Sequence, residues 1–392
     1  MALSDKIREK KQAVAFLAGA SAIAIAAGAI FVSMWQAEPI VAGPGVTRQL
    51  MLGNIERSLY GGPGDTPVFE LEGEKPGASI LVLGGTHPQE IAGMIAATLI
   101  VENVKVKQGK ITVVPQANRS GFTWTEPMEA YRHHIDFKLP DGKGTRWFRV
   151  GMRLANPVDQ WPDPDLFVHY PTGEQMVGHE SRNLNRNHPG REDGWLVARV
   201  SHGLTQIAAQ SSMTFDQHEA QPEYSVVNAF VAPERAYELA GLAQGKLASN
   251  RSARIPITMQ KSPVNLHGLS HREFNDFTDT LAVLAETANP AMGRFRGKLS
   301  DELVVGGKDA NYVAAAKLKS DNPTLGRLFV RFDENGWPLD VRVARHLASI
   351  QAIINAYNDL HPENPLVVEN YPDYRAVVEK GIGAFLQPPP KR

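Results

Sequence analysis

The chain contains no cysteine. That excludes disulfides, a thiol nucleophile and thiolate metal ligands, and it leaves His, Asp and Glu as the strong metal donors. It also lacks an excess of either charge: 41 Lys and Arg stand against 42 Asp and Glu, a formal net charge of -1. Such a balance does not suit a polyanion, so nucleic acid is not an expected partner. Several catalytic motifs are missing too. His218-Glu219 is followed by Pro222 where a helical His-Glu-x-x-His motif needs its second histidine. Neither a Gly-x-Ser-x-Gly elbow nor a Gly-Lys-Ser/Thr phosphate loop occurs. What remains is an ordinary globular composition, 392 residues with 43% hydrophobic and 21% charged, enough for one large α/β domain.

Uncharged apolar runs long enough to span a bilayer are limited to one. Ala13 to Trp35 has no charge and only Ser21 and Ser33 as polar side chains. About 20 such residues in a helix cross a bilayer. The flank at residues 1–12 is basic through Lys6, Arg8, Lys10 and Lys11, and a basic flank stays cytoplasmic. The expectation is therefore a transmembrane anchor at residues 13–35, with the rest of the chain on the exported, periplasmic or extracellular side. The alternative is a cleaved signal peptide, whose apolar core is shorter, about 7–15 residues. Residues 36–77, rich in Gly and Pro, read as a linker with edge elements, Val68 to Leu71 among them.

The fold class expected for residues 78–380 is α/β, a mixed, mostly parallel sheet with helices on both faces. Ala78 to Leu83 and Lys110 to Pro115 are buried strands on either side of an Ala-rich helix beginning at Ile91, which makes a βαβ unit. Ser212 to Asp216 and Thr280 to Ala285 are further strands, and Val343 to Tyr357 has helical periodicity. Residues 120–180 show no clear period and read as a lid-like insertion. Residues 381–392 form a Pro-rich tail.

Three strand ends deliver polar groups to what should be one edge of the sheet, where open α/β folds bind ligands. They are His87 with Glu90 in Gly84-Gly85-Thr86-His87-Pro88-Gln89-Glu90, His218 in Asp216-Gln217-His218, and Glu286 in Glu286-Thr287. Two His and one Glu, with a fourth position for water, is a catalytic zinc set, and Glu286 then fits as general base. Asn185 and Arg186, in Asn183-Leu184-Asn185-Arg186, suit a substrate carboxylate. Arg182 and Arg119 are further candidate cations for substrate. His133-His134 and His267 with His271 read as surface or lid residues.

These blocks occur in an order that resembles the zinc carboxypeptidase superfamily, especially its succinylglutamate desuccinylase/aspartoacylase branch. The resemblance covers Ser79 to about Asn289. It implies His87, Glu90 and His218 as ligands of one zinc ion per chain, Glu286 as catalytic base, and Asn185 with Arg186 as the carboxylate anchor. Pro88-Gln89 replaces the Gly-Asn usual in desuccinylases. No tyrosine lies between Tyr237 and Tyr312, where digestive carboxypeptidases place a mobile one; Tyr224 is the substitute at hand. The expected function is zinc-dependent cleavage of an amide bond beside a carboxylate-bearing group, in a small carboxylated substrate or a peptide. The alternatives are a carboxypeptidase acting on peptides or cell-wall peptides, and an inactive protein that binds carboxylates.

Overall fold

The structure is a computed structural model that describes residues 3–36, 38–125, 133–250, 255–318 and 328–389. Met1–Glu38 and Pro39–Arg392 are separate compact units. The first consists of helix α1 (Leu3–Met34), in which Lys6–Met34 is long and apolar enough to cross a membrane. A membrane anchor and a signal sequence both meet that description.

The second unit is built on a sheet of nine strands. Chain order runs β1 (Arg48–Met51), β2 (Pro67–Glu72), β3 (Lys75–Leu83), helix α2 (Ile91–Asn103) and β4 (Lys105–Val114). The insertion contributes two separate hairpins, β5 (His134–Lys138) with β6 (Thr145–Arg149), and β7 (Leu166–Val168) with β8 (Gln175–Val177). Then follow α3 (Leu196–Ala208), β9 (Met213–Ala220), β10 (Ala229–Ala232), α4 (Tyr237–Ser249), β11 (Thr258–Lys261), α5 (Ser270–Phe277) and β12 (Leu281–Ala288). The chain closes with α6 (Asp301–Val304), α7 (Ala310–Lys317), α8 (Leu339–Leu360), β13 (Val367–Glu369) and α9 (Tyr374–Lys380).

Strand order is β1-β2-β4-β3-β9-β12-β10-β11, with β13 also paired to β4. The middle four, β4, β3, β9 and β12, are mutually parallel, and antiparallel pairs occur outside them. Side chains alternate across the pleat. Ile80 and Val82 join α2, α4 and α8 in one core layer. Leu81 and Leu83 join α3 and Phe274 of α5 in the other. Helices thus cover both faces, which is why the central strands are near-continuous apolar runs. Helix α2 is buried on every side, all but Asn103. A Cβ at its Gly93 would lie 2.8 Å from the Gln217 carbonyl oxygen, so glycine sets how closely α2 seats on β9.

Some boundaries differ from the expectations above. Strand β2 lies between β1 and β4, so Val68 to Leu71 are inside the sheet instead of at its edge. The irregular composition around it reflects the turns, which hide two short strands. The tail packs as far as Leu386, and Ile382 and Leu386 are buried. Residues 390–392 lie outside the described residues, as do residues 126–132 of the insertion.

Glu102 and Arg146, both wholly buried, form the ion pair that closes this unit. Arg146 Nη2 lies 2.8 Å from Glu102 Oε1 and also donates to the Pro39 carbonyl, while Nη1 donates to the Gln387 carbonyl at 2.6 Å. Removing one partner strands a buried charge, at a cost of about 3–5 kcal/mol. Arg146→Ala should therefore lower the urea midpoint markedly. Arg191→Ala, which breaks an exposed pair with Asp193 and a cation–π contact with Tyr170, should lower it far less.

Candidate metal centre

Gly85, at φ +65°, turns the chain out of β3, and a Cβ there would press on Phe122. The turn delivers His87, and Glu90 follows immediately before α2. Both are buried, as is His218 on β9. Glu90 bridges the two imidazoles: Oε1 lies 2.7 Å from His87 Nδ1 and Oε2 lies 2.8 Å from His218 Nδ1. The two Nδ1 atoms are 3.2 Å apart.

The far ring nitrogens decide the tautomers. Asn183 donates through Nδ2 to Glu180 and accepts at Oδ1 from the Asn185 N–H, which fixes its amide orientation. His87 Nε2, 3.0 Å from that Oδ1, must therefore carry a hydrogen. His218 Nε2 likewise donates to Asp216 Oδ2 at 2.9 Å. Asp216 in turn accepts from Thr86 at 2.8 Å and Ser270 at 2.5 Å. Both rings thus turn Nδ1 toward Glu90, with a carbonyl or carboxylate behind each, the orientation that metal-binding histidines use.

The electrostatics follow. Burial, with the Arg153 charge beside it, pulls the His87 pKa down to about 4, so its Nδ1 is a bare lone pair. Burial opposes charge on His218, but the Asp216 and Glu90 carboxylates override it and hold the imidazole well above its ordinary value. Burial alone would raise Glu90, yet the two imidazoles keep it well below the usual carboxylate range. His87 Nδ1 and Glu90 Oε1 are then two acceptors at 2.7 Å with no proton between them. A metal ion placed between them would relieve that contact, and the donor atoms of His87, Glu90 and His218, all within 4.8 Å of one another, could hold a divalent ion.

Glu286 lines the same cleft, a cavity of about 310 Å³ that also presents Arg153, Asn185, Arg186 and Tyr224. Its Oε2 is buried and has no hydrogen-bond partner. Burial, with Glu90 nearby, pushes Glu286 up to about 8. Asn185 is held by the Ser270 N–H, which donates to its Oδ1 at 2.8 Å. Arg186 Nη1 donates to the Asn185 carbonyl at 2.6 Å. Burial and the Arg153 charge both oppose protonation of Arg186, and Glu180 and Glu174 offset this only in part.

Six of the eight expected site residues therefore meet in one cleft. Arg182 and Arg119 do not line it. Arg182 is forked onto Asp163 at 2.7 and 2.9 Å and also donates to the Ala155 carbonyl, both partners lying in the insertion. Arg119 donates to the Asp65 carbonyl. The cation that sequence reasoning missed is Arg153, whose Nη1 is 3.4 Å from His87 Nδ1 and 3.9 Å from Glu90 Oε1. It follows Gly151-Met152 in an aperiodic stretch, so no local pattern marks it. His271 is also corrected. It is buried on α5, bonded to Ser262 and part of the cleft wall, not a surface residue. A second cluster, His169, His267 and Glu273, is closed by its own bonds. Both His169 nitrogens are engaged, one by Thr172 and one by the His188 carbonyl.

No protein-family profile matches the sequence, and no curated protein matches it. Solved structures do. The ectoine utilization protein EutE (DoeB) of Ruegeria pomeroyi, with product bound, is 17% identical over 58% of this chain and 55% of its own, at TM-score 0.37. A succinylglutamate desuccinylase/aspartoacylase of Rhodobacter sphaeroides is 15% identical over 57% and 51%, at TM-score 0.35. Tripeptide-bound cell shape determinant Csd4 of Helicobacter pylori is 11% identical over 80% and 59%, at TM-score 0.43. The structural neighbours thus include succinylglutamate desuccinylase/aspartoacylase proteins and Csd4. Each match spans little more than half of the neighbour's own length.

Asp216→Asn tests the support behind His218. Loss of such a partner weakens metal binding about 10–100-fold. Competition with a chelator should show that shift for divalent zinc, while Asp163→Asn, in the insertion, should show none.

Proposed function

We propose that this chain is a zinc-dependent hydrolase that cleaves an amide bond beside a carboxylate, held at a membrane by α1 with its catalytic unit on the exported side. The observation that carries this reading is the acceptor pair His87 Nδ1 and Glu90 Oε1, placed in one cleft with the unpartnered carboxylate oxygen of Glu286. A site meant only to bind carboxylates has no use for two buried glutamates.

His87, Glu90 and His218 hold the ion. Bound zinc supplies Lewis-acid activation of a water and of the scissile carbonyl. Glu286 takes the proton of the attacking water and passes it to the leaving nitrogen, in the carboxylate form that a bound ion's charge would favour against the burial that raises its pKa. Arg153, half-exposed at the cleft, donates to the carbonyl oxygen as negative charge develops there. Asn185 and Arg186 hold the substrate carboxylate, and that carboxylate supplies the counter-charge Arg186 is short of.

Three variants separate these roles. His218→Ala should lose zinc by metal analysis. Glu286→Gln should keep zinc and substrate affinity but lose about 10²–10⁴ in kcat. Arg186→Ala removes a charge-assisted contact, about 1.5–3 kcal/mol, and should weaken kcat/KM only for substrates with a free carboxylate. Full activity of Glu286→Gln, or equal damage by Arg186→Ala on a substrate and its amidated analogue, contradicts the reading. A reporter fused after Arg392 should be active on the exported side alone.

A further inference from the structure

The proposed carboxylate anchor stands against a wall of a different character. Asn185 is held by the backbone of Ser270, the first residue of α5, and both neighbours of Ser270, Leu269 and His271, line the cleft. Whatever is attached to a carboxylate held by Asn185 and Arg186 therefore lies against this wall. The sheet supplies its floor. Val231 of β10 is the register partner of Leu284 on β12 and of Gln260 on β11, so the three form one row on one face. All three line the cleft. Glu286 follows two residues after Leu284 and shares that face.

The apolar members of this wall are buried but stand outside the core. Val283 and Ala285 on β12, and Phe230 and Ala232 on β10, belong to the core layer of α2, α4 and α8. The residues between them point the other way. Leu284 is 3% exposed, Val231 6% and Leu269 6%, yet none of them joins a hydrophobic core cluster. Leu266, half-buried in the loop before α5, extends the same wall. Apolar side chains that face a cleft are favourably covered by an apolar group of a ligand. The polar members are neutral: Gln260 is an amide, and burial pulls the His271 pKa down to about 3. Lys261 also lines the cleft, but it alternates with Gln260 and pairs with Ala232, so its side chain leaves from the opposite face. Its ammonium lies there, 5.7 Å from the centre of the Tyr237 ring.

We propose that Val231, Leu266, Leu269 and Leu284 form a side-chain pocket beside the carboxylate anchor, so that the residue whose carboxylate is held there carries an aliphatic side chain. This rests on the hydrolase reading for placing the carboxylate on Asn185 and Arg186, but not for the character of the wall. An acidic or basic side chain in the same place would lose hydration with no counter-charge to replace it.

The test uses the full chain in detergent, supplied with zinc and carrying Glu286→Gln so that bound ligand is not consumed. Calorimetry compares N-acetylleucine, N-acetylglycine, N-acetylglutamate and Nα-acetyllysine. N-acetylleucine should bind at least about tenfold tighter than N-acetylglycine, and tighter than either charged ligand. Leu284→Ala should cut the leucine-to-glycine ratio severalfold. Leu266→Lys should bring N-acetylglutamate up relative to N-acetylleucine. Equal binding of N-acetylleucine and N-acetylglycine, preference for a charged ligand, no binding of any of the four, or a ligand order that both variants leave intact overturns the pocket. If Leu284→Ala does not fold, Leu266→Lys and the ligand order in the parent protein still decide. The protein with Glu286 intact keeps the two readings apart. Preferential binding of N-acetylleucine without its hydrolysis supports the pocket and counts against the hydrolase, whereas hydrolysis that favours N-acetylglutamate supports the hydrolase and overturns the pocket.

Discussion

Four consecutive polar residues, Asp216-Gln217-His218-Glu219, are buried in the middle of the central sheet, on a strand whose eight residues are all inaccessible. Each must find a partner or cost several kcal/mol. Their partners come from all around the strand. Asp216 draws on Thr86 and on Ser270 of α5. Gln217 donates to the Leu83 carbonyl at the end of β3. His218 takes Glu90 beside α2. Glu219 takes Arg342 of α8, the Ala92 N–H of α2 and the Asn289 side chain after β12. One strand's need for hydrogen bonds thus fixes the elements that surround the cleft.

The same accounting separates arginines that hold the fold from those that face the cleft. Arg146, Arg182 and Arg342 have buried carboxylate or carbonyl partners and tie segments together. Arg153 and Arg186 are different. They lie along one cavity, where burial first and then the Arg153 charge lower the Arg186 pKa. Two like charges facing one space are destabilising unless an anion sits between them. In the proposed reading the substrate carboxylate supplies that anion, beside a triad that could hold a metal ion.

Much of this could be read from the sequence, and the rest failed for physical reasons. The apolar runs of β3 and β4 and the helix between them are visible because buried parallel strands are apolar on both faces. His87, Glu90, His218 and Glu286 stand out because polar residues end or interrupt such runs. The extent of β9 did not, since Gln217, His218 and Glu219 look like a loop until their partners are known. Arg182 sits four residues from Arg186 and looked equivalent, but Asp163, nineteen residues upstream, claims it. Arg153 reaches the cleft from an insertion whose path no periodicity describes. Contacts between segments distant in sequence leave no local signature.

The position of Glu286 shows how the sheet fixes the part of the site that lies on strands. In the β9–β12 ladder Glu286 is the register partner of His218, and from the other side Ala229 of β10 pairs with it. Parallel neighbours stand about 4.8 Å apart, so the spacing between Glu286 and His218 is set by the sheet. A one-residue slip of β12 would turn Glu286 to the opposite face and bring Ala285 or Thr287 to its place. Such a slip would also expose the apolar residues Val283 and Ala285 to the wrong layer, which the packing on both sides forbids. The carboxylate that the proposed chemistry needs is thus positioned by the same hydrophobic alternation that forms the core.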